Sequence, residues 1–145
     1  MMEIKKSGFT LIELLVVISI IAILTTFLMA NFVGVKSRAR DGQRKSDLRN
    51  IQAALEIYRS DKGIYPSSIP ACNLIWQDGA VYMQRVPCDP LNPTSPFTYE
   101  YKYTLGTYKL FACLQNTSDA QKDATNNDVK CPPATGTKSF TLENP

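Results

Sequence analysis

The chain has 145 residues, 44% hydrophobic and 20% charged, with four cysteines, no histidine and a formal net charge of +3. It is long enough for one domain with a sizeable core and too apolar for disorder. The missing histidine excludes a Ser-His-Asp or Cys-His relay, an H-E-x-x-H metal site and a histidine pH switch, and the small net charge does not by itself argue for nucleic acid.

The first predicted element is a membrane segment. Leu14 to Val35 runs for 22 residues without Asp, Glu, Lys or Arg, and its polar exceptions are Ser19, Thr25, Thr26, Asn31 and Gly34. At about 1.5 Å per residue such a helix spans roughly 33 Å, close to the ~30 Å of a bilayer's hydrocarbon core. A cleaved secretory signal would have an apolar stretch of only about 7–15 residues and a small-x-small cleavage site after it. Neither fits, so the segment reads as retained in a membrane. Glu13 stands at its very start. A carboxylate at the edge of hydrocarbon is a functional candidate by default, the competing reading being a solvated group at headgroup depth.

Lys5-Lys6-Ser7-Gly8-Phe9-Thr10-Leu11-Ile12-Glu13, followed by the apolar run, resembles the processing site of type IV pilins and type II secretion pseudopilins. The resemblance implies that a membrane prepilin peptidase cuts between Gly8 and Phe9 and that the new Phe9 amine is N-methylated. Glu13 becomes the fifth residue of the mature chain, where the family places its glutamate. In a filament that carboxylate would neutralise the Phe9 amine of a neighbouring subunit and set the axial register. Many relatives have Pro where this chain has Ala30, and this departure from the family removes the basis for expecting its local melting of the helix here.

The same helix continues as a basic, amphipathic half. Residues 36–62 hold eight Lys/Arg, including Lys36, Arg38, Arg40, Arg44, Lys45 and Arg49, against four Asp/Glu. Leu48, Ile51, Leu55 and Tyr58 recur at helical spacing, with Ala54 and Ile57 widening the stripe. Asp61-Lys62-Gly63, with Pro66 beyond, supplies a stop. One helix from about Thr10 to about Ser60 is expected. The basic face is read as touching anionic headgroups or as solvated; DNA binding is disfavoured by the interleaved acids. Counting charges around the apolar run would leave the large domain in the cytoplasm. The leader and the cysteines point outside instead, and the leader is the more specific signal.

Beyond the helix, Tyr65-Pro66 resembles the helix exit of major pseudopilins, and Val86-Pro87-Cys88-Asp89-Pro90 their short connection before the sheet. Phe97, Tyr99, Tyr101, Tyr103 and Leu105 alternate with Thr98, Glu100, Lys102 and Thr104, a strand with one buried face. That tyrosine row reads as the sheet face covering the helix stripe rather than as a stacking platform for bases or sugars. Gly106-Thr107 is the expected turn, Tyr108 to Leu114 the return strand, and Lys138 to Leu142 a third strand.

Cys72, Cys88, Cys113 and Cys131 form no C-x-x-C pair, so two disulfides in an oxidising compartment are favoured over a metal site. Of three connectivities, Cys72–Cys88 with Cys113–Cys131 is preferred. Each would close a loop of roughly 15–20 residues and contribute about 3 kcal/mol; the second resembles the C-terminal disulfide loop of pilins. Asn116 to Lys130 holds Asp119, Asp123, Asn126, Asn127 and Asp128. It resembles the calcium-binding loop of major pseudopilins, so Asp119, Asp123 and Asp128 are candidate ligands, although the spacing is not that of an EF-hand and a solvated acidic loop is the alternative. Asn116-Thr117-Ser118 fits a glycosylation sequon, a short and common motif.

The expected fold is α+β, a pilin fold: a long N-terminal helix on a small antiparallel sheet with disulfide-closed loops. The segments are a leader at 1–8, a transmembrane and filament-core helix at 9–35, an amphipathic helix at 36–62 and a globular β domain at 63–145. The first expectation of function is a structural subunit of a type IV pilus-like filament, with a major pseudopilin as the alternative. A minor pilin or anchored protein binding DNA or a surface comes third. No catalytic constellation assembles, so no enzyme is expected and no cofactor beyond the calcium implied by the resemblance. The partners would be copies of the chain, prepilin peptidase, an assembly ATPase and a platform protein. The chain would start in the cytoplasmic (inner) membrane with its C-terminal domain outside and end in a periplasmic or extracellular filament.

Overall fold

The computed structural model describes residues 8–91, 97–126, 131 and 136–144, with only the backbone at 29–31 and 33. One helix, α1, runs from Leu11 to Lys62. The chain divides into two compact units, residues 1–36 and 37–145.

In the first unit, Leu11–Leu28 is long and apolar enough to cross a membrane, and none of it is buried within the protein. Its hydroxyls turn back onto the helix. Ser19 Oγ donates to the Val16 carbonyl and Thr26 Oγ1 to the Ile23 carbonyl, both at 2.7 Å, and Thr25 Oγ1 donates to the Ile21 carbonyl. These bonds satisfy polar groups that hydrocarbon could not.

The second unit is built on the helix stripe. Leu48, Ile51, Ala54 and Leu55 are buried, and Tyr58 packs beside them. The sheet facing them contains β3 (Glu100–Thr104), β4 (Thr107–Leu114) and β5 (Lys138–Glu143), antiparallel in the order β3-β4-β5. A separate hairpin joins β1 (Trp76–Asp78) to β2 (Ala80–Met83). Tyr108, Leu110, Ala112 and Leu114 of the central strand share one core with the stripe, with Tyr65, Trp76, Val86 and with Phe140 of β5. Phe111 and Cys113 on the other face of β4 are buried as well, which is why this strand reads as a continuous apolar run.

Two expectations change at the β3–β4 hairpin. Tyr99 and Tyr101 pack on the core, but Tyr103 is 37% and Leu105 94% exposed, so the row leaves the core before its end. The turn is Leu105-Gly106 rather than Gly106-Thr107: Thr104 pairs with Thr107, and the residues between have φ of 37° and 86°. A two-residue hairpin loop of this kind needs positive φ at both positions, which glycine tolerates and leucine does not. Leu105→Asn should therefore raise stability by about 1 kcal/mol, since Asn accepts the left-handed region. A shift of the urea midpoint to higher concentration at unchanged slope checks this; an unmoved midpoint contradicts it.

Cys72 is joined to Cys88 and Cys113 to Cys131, with Cα separations of 5.0 and 5.4 Å. These are the two short-range pairs of the three connectivities. The first ties the segment after the helix exit to the Val86–Asp89 connection; the second ties β4 to the end of the polar loop.

One buried and two half-buried tyrosines, Tyr108, Tyr99 and Tyr101, should make the fold sensitive to alkali. Burial pushes the Tyr101 hydroxyl up to about 12. It raises Tyr99 and Tyr108 further, helped by the carboxylates of Asp47 and Glu56 respectively. Their folded values lie above the ordinary phenol value of about 10, so their stabilising effect is complete below about pH 10 and is lost as pH rises through the folded values. Urea midpoints should fall steeply above about pH 10, and Tyr99→Phe should flatten the fall. A pH-independent midpoint up to about pH 12 would contradict the assignment.

Candidate functional site

Residues 8–10 precede the helix, and Phe9, Leu11 and Ile12 are at least 70% exposed. Gly8 has open space where a Cβ would stand and no left-handed φ. Nothing among the described residues calls for glycine at this position.

Thr10 and Glu13 form a capping box. The Thr10 amide donates to Glu13 Oε2 at 2.9 Å and the Thr10 hydroxyl donates to the same oxygen at 2.7 Å. The Glu13 amide donates back to Thr10 Oγ1 at 3.3 Å. Two amides that a helix start leaves unsatisfied are thereby paired, and the carboxylate sits at the positive end of the helix dipole. Both bonds to the carboxylate fall on Oε2, so Oε1 keeps its lone pairs for a further donor.

Lys36, Arg38 and Arg49 on the basic face are exposed, as expected of a solvated or headgroup-facing surface, but Arg44 differs. Arg44 is fully buried rather than facing headgroups or solvent. Its Nε and Nη2 donate to Asp89 Oδ2 and Oδ1 at 2.6 and 3.0 Å, and its Nη1 donates to Asp41 Oδ1 at 2.7 Å. Asp41 in turn accepts the amides of Gln115 and Asn116 at 2.9 and 2.7 Å, and Asp89 accepts that of Leu91 at 2.8 Å. The guanidinium also lies over the Phe97 ring, 4.9 Å from its centroid. Helix, end of β4 and Pro87–Pro90 connection thus meet on one arginine. Arg40 reaches Gln115 Oε1 at 2.8 Å. Nearby, Tyr99 donates its hydroxyl to Asp47 Oδ2 at 2.7 Å, and burial holds the Asp47 carboxyl above the usual carboxylate range. Asp41-x-x-Arg44 spacing was the available signal for this network, but a helix face full of lysines and arginines masks it.

Of the candidate calcium ligands, Asp119 accepts the Lys45 ammonium and the Gln121 amide on Oδ1 at 2.6 and 2.8 Å. Lys45 holds its carboxyl below the usual range. Asp123 Oδ2 accepts the hydroxyls of Ser139 and Thr141, each at 2.6 Å. Asp128 lies outside the described residues. Among those described, no three His, Cys, Asp or Glu side chains gather as a metal site.

A cleft of about 530 Å³ runs between the helix, residues 67–72 and the start of β3. Ile51, Pro70, Val86, Tyr99 and Tyr101 line it, and of its two carboxylates, Asp89 and Glu100, the first is already held by Arg44.

Residues 4–29 match the family model described as the prokaryotic N-terminal methylation motif, and residues 31–131 the one described as type II secretion system (T2SS), protein G. The chain is similar to the type II secretion system core protein G of Pseudomonas aeruginosa, 28% identical over 138 residues, which cover 86% of this chain and 92% of the relative. It is 32% identical over 98 residues to that of Aeromonas hydrophila, with 59% of this chain and 68% of the relative covered. With that of Vibrio cholerae it shares 30% over 97 residues, covering 59% and 66%. No solved structure matches the chain.

Proposed function

The chain belongs to the type II secretion system protein G family, whose model matches residues 31–131, and from that premise we propose that it is a major pseudopilin, a structural subunit that polymerises through its N-terminal helix. The carrying observation is that this match extends over the globular part, about which the leader says nothing. The pilus-like subunit was the first expectation from the leader; the pseudopilin now stands ahead of it.

In this reading the unprocessed chain is held in the cytoplasmic membrane by Leu11–Leu28, which is apolar and exposed along its length. Prepilin peptidase cuts between Gly8 and Phe9. The absence of any fold-internal reason for Gly8 supports a requirement set by that peptidase's own site. Phe9 then carries the amine that is methylated, and the unused oxygen of Glu13 meets the amine of a neighbouring copy. An assembly ATPase and a platform protein draw the subunits out of the membrane, and the globular parts face the periplasm, where disulfides persist. The role is structural rather than catalytic, and DNA is not a partner.

Intact mass and N-terminal sequencing of the membrane-extracted protein, combined with electron microscopy of sheared cell-surface and periplasmic fractions, test the reading. A methylated chain beginning at Phe9 in short periplasmic filaments is expected. A different amino terminus overturns the processing step, and long surface fibres made of this chain return the pilus to first place.

A further inference from the structure

The family resemblance implies a calcium ion in the loop that begins at Asn116, and the described residues of that loop do not fit one. Calcium takes about six to eight converging oxygens. Here one carboxylate oxygen of Asp119, one of Asp123 and the amide oxygen of Asn126 are turned onto hydrogens of the protein. Asp119 Oδ1 receives the Lys45 ammonium and the Gln121 amide, and Asp123 Oδ2 receives two hydroxyls of β5. Asn126 Oδ1 receives the Ser139 amide at 2.9 Å.

We propose that the Lys45 ammonium takes the place of a bound cation, fastening loop 116–126 along the outer side of β5 so that the loop's order does not depend on a divalent metal. Lys45 leaves the helix at the point where loop and sheet converge. Its side chain is 14% exposed and that of Asp119 17%. The same ammonium stands 5.6 Å from the centroid of Phe140, a buried residue of β5. One charge therefore binds helix, loop and strand, partly desolvated and partly over an aromatic face.

What the loop covers gives this fastening its purpose. β5 is the last strand of its sheet, and an open edge invites pairing with another chain. The Ser139 amide donates to Asn126 Oδ1, and the Ser139 carbonyl accepts the Asp123 amide at 2.8 Å. The Asp123 carboxylate holds the hydroxyls on either side of Phe140. In an antiparallel strand the amide and carbonyl of one residue point to the same side, so the loop occupies the side of β5 that β4 leaves open. A subunit that polymerises through its helix gains from a sheet edge that cannot pair on its own. The proposal rests on these contacts and not on filament assembly, so it stands or falls separately from the pseudopilin reading.

The test uses the full chain in detergent micelles. Melting temperature and the rate of tryptic cleavage at Lys122 should be the same with calcium as with EGTA, and calorimetric titration with calcium chloride should show no binding. A calcium-dependent rise in melting temperature, slower cleavage or measurable binding heat overturns the proposal. Lys45→Ala should lower the melting temperature by several degrees and speed cleavage at Lys122. The exchange Lys45→Asp with Asp119→Lys should recover most of that loss, because it keeps an ion pair. It would destroy a site in which Asp119 is a metal ligand, so an exchanged chain no better than Lys45→Ala also overturns it.

Discussion

Glu13→Ala should leave cleavage before Phe9 intact and abolish filaments. The carboxylate lies at the start of an apolar helix and is held in place by the Thr10 amide and hydroxyl, both on Oε2. In the proposed processing, cleavage before Phe9 would add a positive amine four residues away. An amine and a carboxylate at the rim of hydrocarbon each favour a partner of opposite charge. The capping geometry keeps Glu13 close to its own helix axis, so the second oxygen is the one available to a neighbour. Alanine removes both the cap and the charge, whereas Glu13→Gln keeps an oxygen acceptor for Thr10 and removes the charge alone. If the charge drives assembly, both variants fail; if the cap does, glutamine assembles. The readouts are intact mass for processing and the pelletable, sheared fraction for assembly. Wild-type filament yield from either variant would contradict the charge-pairing account.

How much of this was legible in the sequence depended on range. The helix was placed from about Thr10 to about Ser60 and runs from Leu11 to Lys62, because a 22-residue uncharged run and a regular stripe are local patterns. The strands β3, β4 and β5 followed from alternation and apolar runs in the same way. The β1–β2 hairpin was missed: strands of three and four residues are too short for periodicity, and the Asp78-Gly79 turn, with φ of 80° at Gly79, was its only local sign. The turn at Leu105-Gly106 was misplaced by one residue, since strand register, not local preference, put a leucine at positive φ.

Arg44 shows the sharper limit. Helical periodicity tells which residues share a face, but not that one arginine on a basic face has its counter-charge 45 residues away, on Asp89. The Pro87–Pro90 connection was recognised as a resemblance without any physical reason for its aspartate. The structure supplies one: Asp89 Oδ2 and Oδ1 take the Nε and Nη2 of a guanidinium that has no exposure to solvent. Asp119 was weighed as a metal ligand for the same reason in reverse, because its partner Lys45 is 74 residues distant.

Asp89→Ala should destabilise the globular unit by about 3 kcal/mol, because the buried guanidinium keeps Asp41 on Nη1 but loses the acceptor of its Nε and Nη2. Against total stabilities of about 5–15 kcal/mol, that loss is a large share of the whole margin. Arg44→Met should cost about as much, since it leaves two buried carboxylates facing each other across an apolar side chain. Asp41 would keep its Gln115 and Asn116 amides, so the damage falls mainly on Asp89 and the connection it anchors. The decisive variant is the double one, Arg44→Met with Asp89→Ala. Removing both charges removes the desolvation cost together with the attraction, so its loss should be well below the sum of the two single losses. Urea midpoints of the four proteins close the cycle. Additive losses would mean that the two side chains act independently and that their contact adds nothing to stability. A strong coupling means that the helix is keyed to the sheet and to the Pro87–Pro90 connection through one guanidinium. In the proposed extraction by the helix, that is the point through which the globular part would be carried along.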